Sequence, residues 1–249
     1  MANTDNQPRY GATTVAGAAG AIDQGLRAHM LRVYNYMAFG LALTAVSAWA
    51  VVNTPLQSLF FEAFGGQIVG LTMLGWIALF APLALVFVLS FGVSRMSVGT
   101  AQLVFWGYAI LMGISLSPIL LIYTGASVAR TFVITAAMFG TMSLWGYTTQ
   151  RDLTSMGRFL MMGVIGIVIA MLVNIFLQSS AIDFAISVIG VVAFTGLTAY
   201  DTQKIKEMYF VGDDGTVAGR KAIMGALSLY LDFINLFLFL LRLFGGQRN

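Results

Sequence analysis

Of the chain's 249 residues 59% are hydrophobic and only 9% are charged, whereas a soluble domain needs roughly a quarter of its residues charged to dress its surface. The absence of cysteine excludes disulfides, thiolate catalysis and cysteine-based zinc sites together. The net charge of +3 comes from basic residues set singly in short connections, as membrane topology requires, and implies no nucleic-acid partner.

Residues 1–22 are polar and rich in Gly and Ala, and the composition predicts a disordered tail there. The remainder, 23–246, is expected to form one transmembrane domain in a lipid bilayer. No secretory signal is expected, because the first apolar run begins only near Val33 and no small-residue cleavage site follows it. Asp23 is placed to cap a short helix carrying Arg27, His29 and Arg32 toward the membrane. His29 is the single histidine, so a histidine metal site or a Ser-His dyad is not expected.

Charge-free stretches then run from Val33 to Phe61, Ala63 to Ser94, Met96 to Ala129, Thr131 to Gln150, Phe159 to Ile182 and Phe184 to Tyr200. A bilayer core needs about 20 apolar residues per helix, so each stretch holds one span and a connection. A seventh apolar segment, Ala222 to Leu243, differs in carrying Asp232 at its centre and Arg242 near its end. Backbone groups find no partner in lipid, so helices are the expected form throughout. Ser115, Ser117 and Pro118 predict a bend in the third span. Trp49, Trp76, Trp106, Trp145, Tyr34, Tyr123, Tyr147 and Tyr209 fall mostly toward span ends, as an aromatic belt does.

With the N-terminus inside, Arg9, Arg27, Arg32, Arg95, Arg151, Arg158, Lys204, Lys206, Arg220 and Lys221 fall on one side. Arg130 falls on the other, joined by Arg242 and Arg248 if the last segment crosses fully. Ten against three is a positive-inside bias that predicts a cytoplasmic N-terminus. A last segment that turns back gives twelve against one, so charge counting leaves the C-terminus open.

Two acids stand out. Asp201 closes the sixth stretch, and Asp232 sits within the last. An acid at membrane depth costs about 2.5–3.5 kcal/mol on insertion scales, and a partner, a water-filled cavity or a proton must offset that cost. Antiparallel helices flanking the 202–221 connection bring the two carboxyls within reach of each other, Asp232 the deeper. Adjacent carboxyls share a proton and titrate as one unit. Such a pair is a clamp, hydrogen-bonded with one proton and self-repelling with none. The bland alternative has Asp201 snorkelling beside Lys204 and Lys206, and Asp232 capping a kink. Asn235 and Ser228 lie on the Asp232 face of the last helix, and Asn174 and Gln178 form a polar ridge on the fifth. These polar residues serve equally well as interhelical glue. Arg95 borders the second span, as a topology signal or as a reach toward an aspartate. Calcium takes six to eight oxygen ligands, so Asp201 and Asp232 would hold it only weakly, which suits passage and not storage.

The strings Leu197-Thr-Ala-Tyr-Asp-Thr-Gln-Lys-Ile205, Leu227-Ser-Leu-Tyr-Leu-Asp-Phe-Ile-Asn-Leu-Phe237 and Leu240-Leu-Arg-Leu-Phe-Gly245 resemble the Bax inhibitor-1 family, in particular its bacterial inner-membrane members. Gly113-Ile-Ser-Leu-Ser-Pro-Ile119 and Thr141-Met-Ser-Leu-Trp-Gly-Tyr147 support the resemblance, which covers roughly residues 26–246. It implies an all-α membrane protein, a seven-transmembrane-helix bundle with the last helix central. It also implies a pH-sensitive calcium leak in which Asp201 and Asp232 match the family's di-aspartyl pH sensor. No cofactor is implied beyond calcium as the permeant ion. Some members carry an acid within the second span tied to ion passage, whereas this chain reads Phe80-Ala-Pro-Leu-Ala84 there. The Gly212-Asp213-Asp214-Gly215 insertion lengthens the connection between the two acids.

An alternative is a modulator of a membrane-bound protease or another membrane partner, without transport activity. An intramembrane aspartyl protease is disfavoured, since Leu229-Tyr230-Leu231 precedes Asp232 where those enzymes need Gly-x-Gly, and no proline follows Pro118. The chain is therefore expected not to be an enzyme.

Overall fold

The structure, a computed structural model, describes residues 10–65 and 67–248, with side chains of 10–23 and of Gln67 outside that description. Its elements in chain order are α1 (Tyr10–Asn53), α2 (Gln57–Phe60), β1 (Phe61–Phe64), β2 (Gln67–Leu71), α3 (Met73–Gly92) and a 3-10 turn (Val93–Arg95). Then follow α4 (Val98–Ile122), α5 (Gly125–Thr148), α6 (Thr154–Leu177), α7 (Ser180–Glu207) and α8 (Gly215–Phe244). Seven helices are long and apolar enough to cross a membrane, with α1 contributing from Gln24 and α3 running on to Arg95. The expected disordered tail, residues 1–22, falls on residues 1–9, outside the described ones, and on N-terminal turns of α1 whose side chains are likewise outside them. Asp23 lies within α1 and not at its start.

Local chemistry sets the helix ends. A hydroxyl residue precedes four of the spans, and its side chain accepts the amide hydrogen bond three positions on: Thr72 from Gly75, Ser97 from Thr100, Thr124 from Ser127 and Ser179 from Ile182. Asp214 does the same for α8, accepting from Thr216 and Val217. Each cap satisfies an amide that has no partner within its own helix. Before α6 the role falls to Asp152, which accepts from the Thr154 amide at 2.8 Å. The Thr154 hydroxyl and amide hold the Asp152 carboxyl below the usual carboxylate range. α6 stops where Gln178 turns left-handed at φ 48°, and Asn174 Oδ1 then accepts the Ser179 amide at 3.0 Å.

One element differs from the expectation of helices throughout. Between α2 and α3, Phe61 to Leu71 form an antiparallel hairpin, with Phe61 opposite Leu71 and an irregularity between Glu62 and Ala63. Gly65 at its tip, at φ 62°, supplies the left-handed backbone a tight turn needs. Pro82 and Pro118 sit inside α3 and α4, each of which is one uninterrupted helix.

α8 is the central helix. It packs on α1, α4, α5 and α7, and 72% of its most apolar window is buried, against 6% for α6. Peripheral α3 leans on α4, and α6 on α7. The α7–α8 pair is antiparallel in a register that sets Gly225 against Ile205 and Gly190 against Phe239. Gly146 lets α5 approach the Ala199 backbone of α7, where a Cβ would collide, the close small-residue contact common between membrane helices.

α8 crosses fully. Its end is pinned to the α4–α5 turn, with the Thr124 amide donating to Gly246 O at 3.0 Å, Arg248 N to Ile122 O at 2.8 Å and Gly246 N to Ser127 Oγ at 2.8 Å. The question charge counting left open is thereby answered. Arg242 and Arg248 belong with Arg130, on the side opposite the α7–α8 connection.

Candidate functional site

Asp201 lies six residues before the end of α7 and Asp232 at the eighteenth position of α8. The antiparallel register turns both toward the α7–α8 seam, where the two carboxyls are close enough to act on each other electrostatically. Asp232 is only 5% exposed, and among the described residues no side chain or amide donates to its Oδ2. No cation pairs with either acid among the described residues, whose two ion pairs are Lys221–Asp213 and Arg242–Asp183. Lys204, one turn beyond Asp201, acts on it electrostatically and lies over the Tyr200 ring at 5.9 Å.

What surrounds Asp232 is apolar. Leu229, Phe233 and Leu236 are all buried, so an ionised carboxylate there is poorly stabilised. Two ionised carboxylates in contact repel, and one proton between them turns that repulsion into a hydrogen bond.

Polar anchors hold the seam from both directions. On the α7 side, Thr202 Oγ1 bonds Ser143 Oγ at 2.9 Å, and Ser143 in turn bonds the Tyr34 hydroxyl at 2.5 Å. This chain ties α7 through α5 to α1. Gln203 accepts the Leu153 amide at 2.8 Å and donates to Arg151 O at 2.7 Å, and Lys206 donates to Tyr147 O at 2.9 Å. On the α8 side, the buried Tyr230 hydroxyl meets Thr44 Oγ1 at 2.6 Å, and Thr44 also reaches Ala109 O at 2.9 Å. Each acid therefore sits beside a turn fastened to a different part of the bundle.

The sequence-predicted residues divide accordingly. Asp201 and Asp232 come together. Asn235, one turn past Asp232, spends its amide on Leu231 O of its own helix at 2.8 Å. Ser228 is half-buried and makes no side-chain hydrogen bond among the described residues. Asn174 does not support the pair. It belongs to the α6–α7 turn, and the 21 residues from Ser180 to Asp201 put about 30 Å of helix between them. Arg95 is exposed and bonds neither acid. His29 lies within the first span, buried at 7% exposure and 5.8 Å from the Tyr209 ring. Trp106 is half-buried against Phe39 at 5.5 Å and not a free belt residue.

Sequence reasoning missed Thr202, Gln203, Ser143, Thr44 and Tyr230, and assigned Tyr34 to the belt. The signal present was the one-turn spacing of Thr198 and Thr202, which stacks hydroxyls along one face of an apolar helix. Among the described residues no three His, Asp or Glu side chains cluster as a metal site. Two carboxyls alone fall short of the six to eight oxygens of a tight calcium site.

A family model described as "Inhibitor of apoptosis-promoting Bax1" matches residues 26–249. The chain belongs to this family. Its relatives in the Bax inhibitor family include protein RP147 of Rickettsia prowazekii, 52% identical over 91% of this chain and 93% of the relative. Inner membrane protein YbhL of Escherichia coli is 48% identical over 90% of this chain and 94% of its own length. A membrane protein of Streptococcus pyogenes is 37% identical, again over 90% and 94%. The match spans both aspartates and every transmembrane helix described above, so this Bax inhibitor family member is a multi-pass membrane protein along its whole matched length.

Proposed function

We propose that the protein is a pH-gated leak for calcium or a similar cation in a bacterial inner membrane, with its N-terminus cytoplasmic and Asp201 and Asp232 as the gate. The observation that carries this reading is that two carboxyls from neighbouring helices act on each other across the α7–α8 seam, neither of them in an ion pair among the described residues. With one shared proton the acids fasten α7 to α8. Raising the pH removes that proton, and the two charges push the helices apart. A cation entering between them relieves the repulsion, is held by too few ligands to stay, and moves on. The anchors at Thr202–Ser143 and Tyr230–Thr44 hold the flanking turns, so the repulsion is released as helix separation and not as side-chain rotation. The mechanism is a leak and involves no hydrolysis.

Efflux of calcium from liposomes holding the purified protein, stepped through pH, tests this. Flux that rises with pH in the wild type and becomes flat in Asp201→Asn and Asp232→Asn is the expected outcome. No flux at any pH would overturn the leak, leaving modulation of a membrane-bound protease or other partner as the better account. Flux with an unchanged pH profile in both variants would remove the acids as its gate.

A further inference from the structure

α1 and α5 both pack on α8 but barely meet each other, so a seam opens sideways between them. On the side where α1 enters the membrane the seam widens into a cavity of about 610 Å³, lined among others by Met37, Phe139, Gly140 and Leu144. A second, smaller apolar cavity of about 270 Å³ continues along the same helices toward the other side. The two are divided by Phe233, whose ring lies 5.5 Å from Phe139 and 5.3 Å from Phe132.

A lateral opening of this kind faces lipid. Water gains nothing from an apolar lining, whereas hydrocarbon fills it at no cost in hydrogen bonds. The first cavity also falls within the usual size range of ligand sites, about 300–1,000 Å³. Its rim is charged. Arg27 lines the mouth, exposed and without an acidic partner among the described residues. Tyr147, on the same rim, carries Lys206 over its ring at 5.4 Å, and that ammonium donates to Tyr147 O at 2.9 Å and has no carboxylate partner among the described residues. An apolar trough with the Arg27 guanidinium at its mouth and the Lys206 ammonium beside Tyr147 matches an amphiphile with an acyl tail and an anionic head.

We propose that the α1–α5 seam binds one anionic phospholipid from the leaflet on the Arg27 side, its acyl chain along Met37 and Phe139 and its phosphate against Arg27 and Lys206. The Tyr34–Ser143 hydrogen bond closes the floor beneath the chain. This site is separate from the aspartate pair and stands whether or not that pair gates a leak.

The test uses the full chain in detergent micelles doped with equal phosphatidylglycerol and phosphatidylcholine of identical tails, and counts retained lipids by native mass spectrometry. The wild type is expected to keep one phosphatidylglycerol in preference to phosphatidylcholine. Arg27→Gln and Lys206→Gln each lower that preference about fivefold, from the attraction one cation exerts on an anionic lipid. A Cβ on Gly140 meets nothing within 4 Å, so Gly140→Trp is expected to fill the trough, leave the elution volume unchanged and release the lipid of either head. Equal retention of the two lipids by the wild type overturns the proposal. So does an undiminished adduct on well-folded Gly140→Trp, and so does an unchanged preference in the Arg27→Gln/Lys206→Gln double variant.

Discussion

Removing one charge from the aspartate pair should abolish a pH-driven separation of α7 and α8. Two unit charges 4 Å apart repel by about 4 kcal/mol at the effective dielectric of roughly 20 that suits protein sites. Asp201 and Asp232 act on each other across the α7–α8 seam, and a separation of that order sets the scale of their repulsion. At about 1.4 kcal/mol per factor of ten, full ionisation shifts the packed-to-parted ratio by nearly three decades. The direction follows from the proton. The attraction is present while one proton is shared, and the repulsion appears only as rising pH removes it. Asp232→Asn leaves an amide that donates to Asp201, so the clamp stays closed at every pH. Because the chain has no cysteine, spin labels on Glu207→Cys and Thr216→Cys report the ends of α7 and α8, both positions being exposed. Double electron–electron resonance in nanodiscs should show the label distance lengthening with pH in the wild-type background and staying fixed in Asp232→Asn. A wild-type distance indifferent to pH would refute the reasoning, as would an identical pH response after the substitution.

The remaining expectations concern stability and topology. Gln203→Leu leaves the Leu153 amide without its 2.8 Å acceptor at a buried residue, so thermal unfolding in detergent should report a loss of about 1–3 kcal/mol. Tyr230→Phe deletes the 2.6 Å contact with Thr44 but leaves Thr44 its carbonyl partners. It should cost less, about 1 kcal/mol, in the same assay. Gly146→Val drives a side chain into the Ala199 backbone, and overpacking of about 1–3 kcal/mol or more should appear as a collapse in the monodisperse fraction on gel filtration. With the N-terminus cytoplasmic, as proposed, and α8 crossing fully, a membrane-impermeant thiol reagent should label Arg248→Cys in intact cells and Glu207→Cys only after permeabilisation. Labelling of both from one side would contradict the fold.

The hydroxyl and glutamine contacts explain why some of the site was invisible in one dimension. Asp201 and Asp232 announce themselves because a charge inside an apolar run costs kilocalories wherever the run is placed. Ser143 and Thr202 carry no such signal. A hydroxyl in a membrane helix satisfies itself on the carbonyl four residues back, as Thr202 does with Thr198 O at 2.7 Å, so only a facing helix reveals a second role. Asn174 shows the reverse error. As a polar residue in an apolar span it resembles interhelical glue, yet its side chain completes a turn five residues away. The hairpin at Phe61–Leu71 was hidden for a related reason. Its residues are as apolar as those of a span, and only the Gly65-Gly66 pair separates the two readings.

Hydropathy alone determined that this chain crosses a bilayer as seven helices, because burying a polar backbone in hydrocarbon admits no cheaper arrangement. It likewise singled out the two acids that stand at or inside apolar segments. Tertiary structure decided that those acids face one seam, that α8 ends on the far side against the α4–α5 turn, and that a seam stays open between α1 and α5. These outcomes rest on helix phase, register and the sizes of facing side chains. They are properties of pairs of helices, and no single segment's composition encodes them.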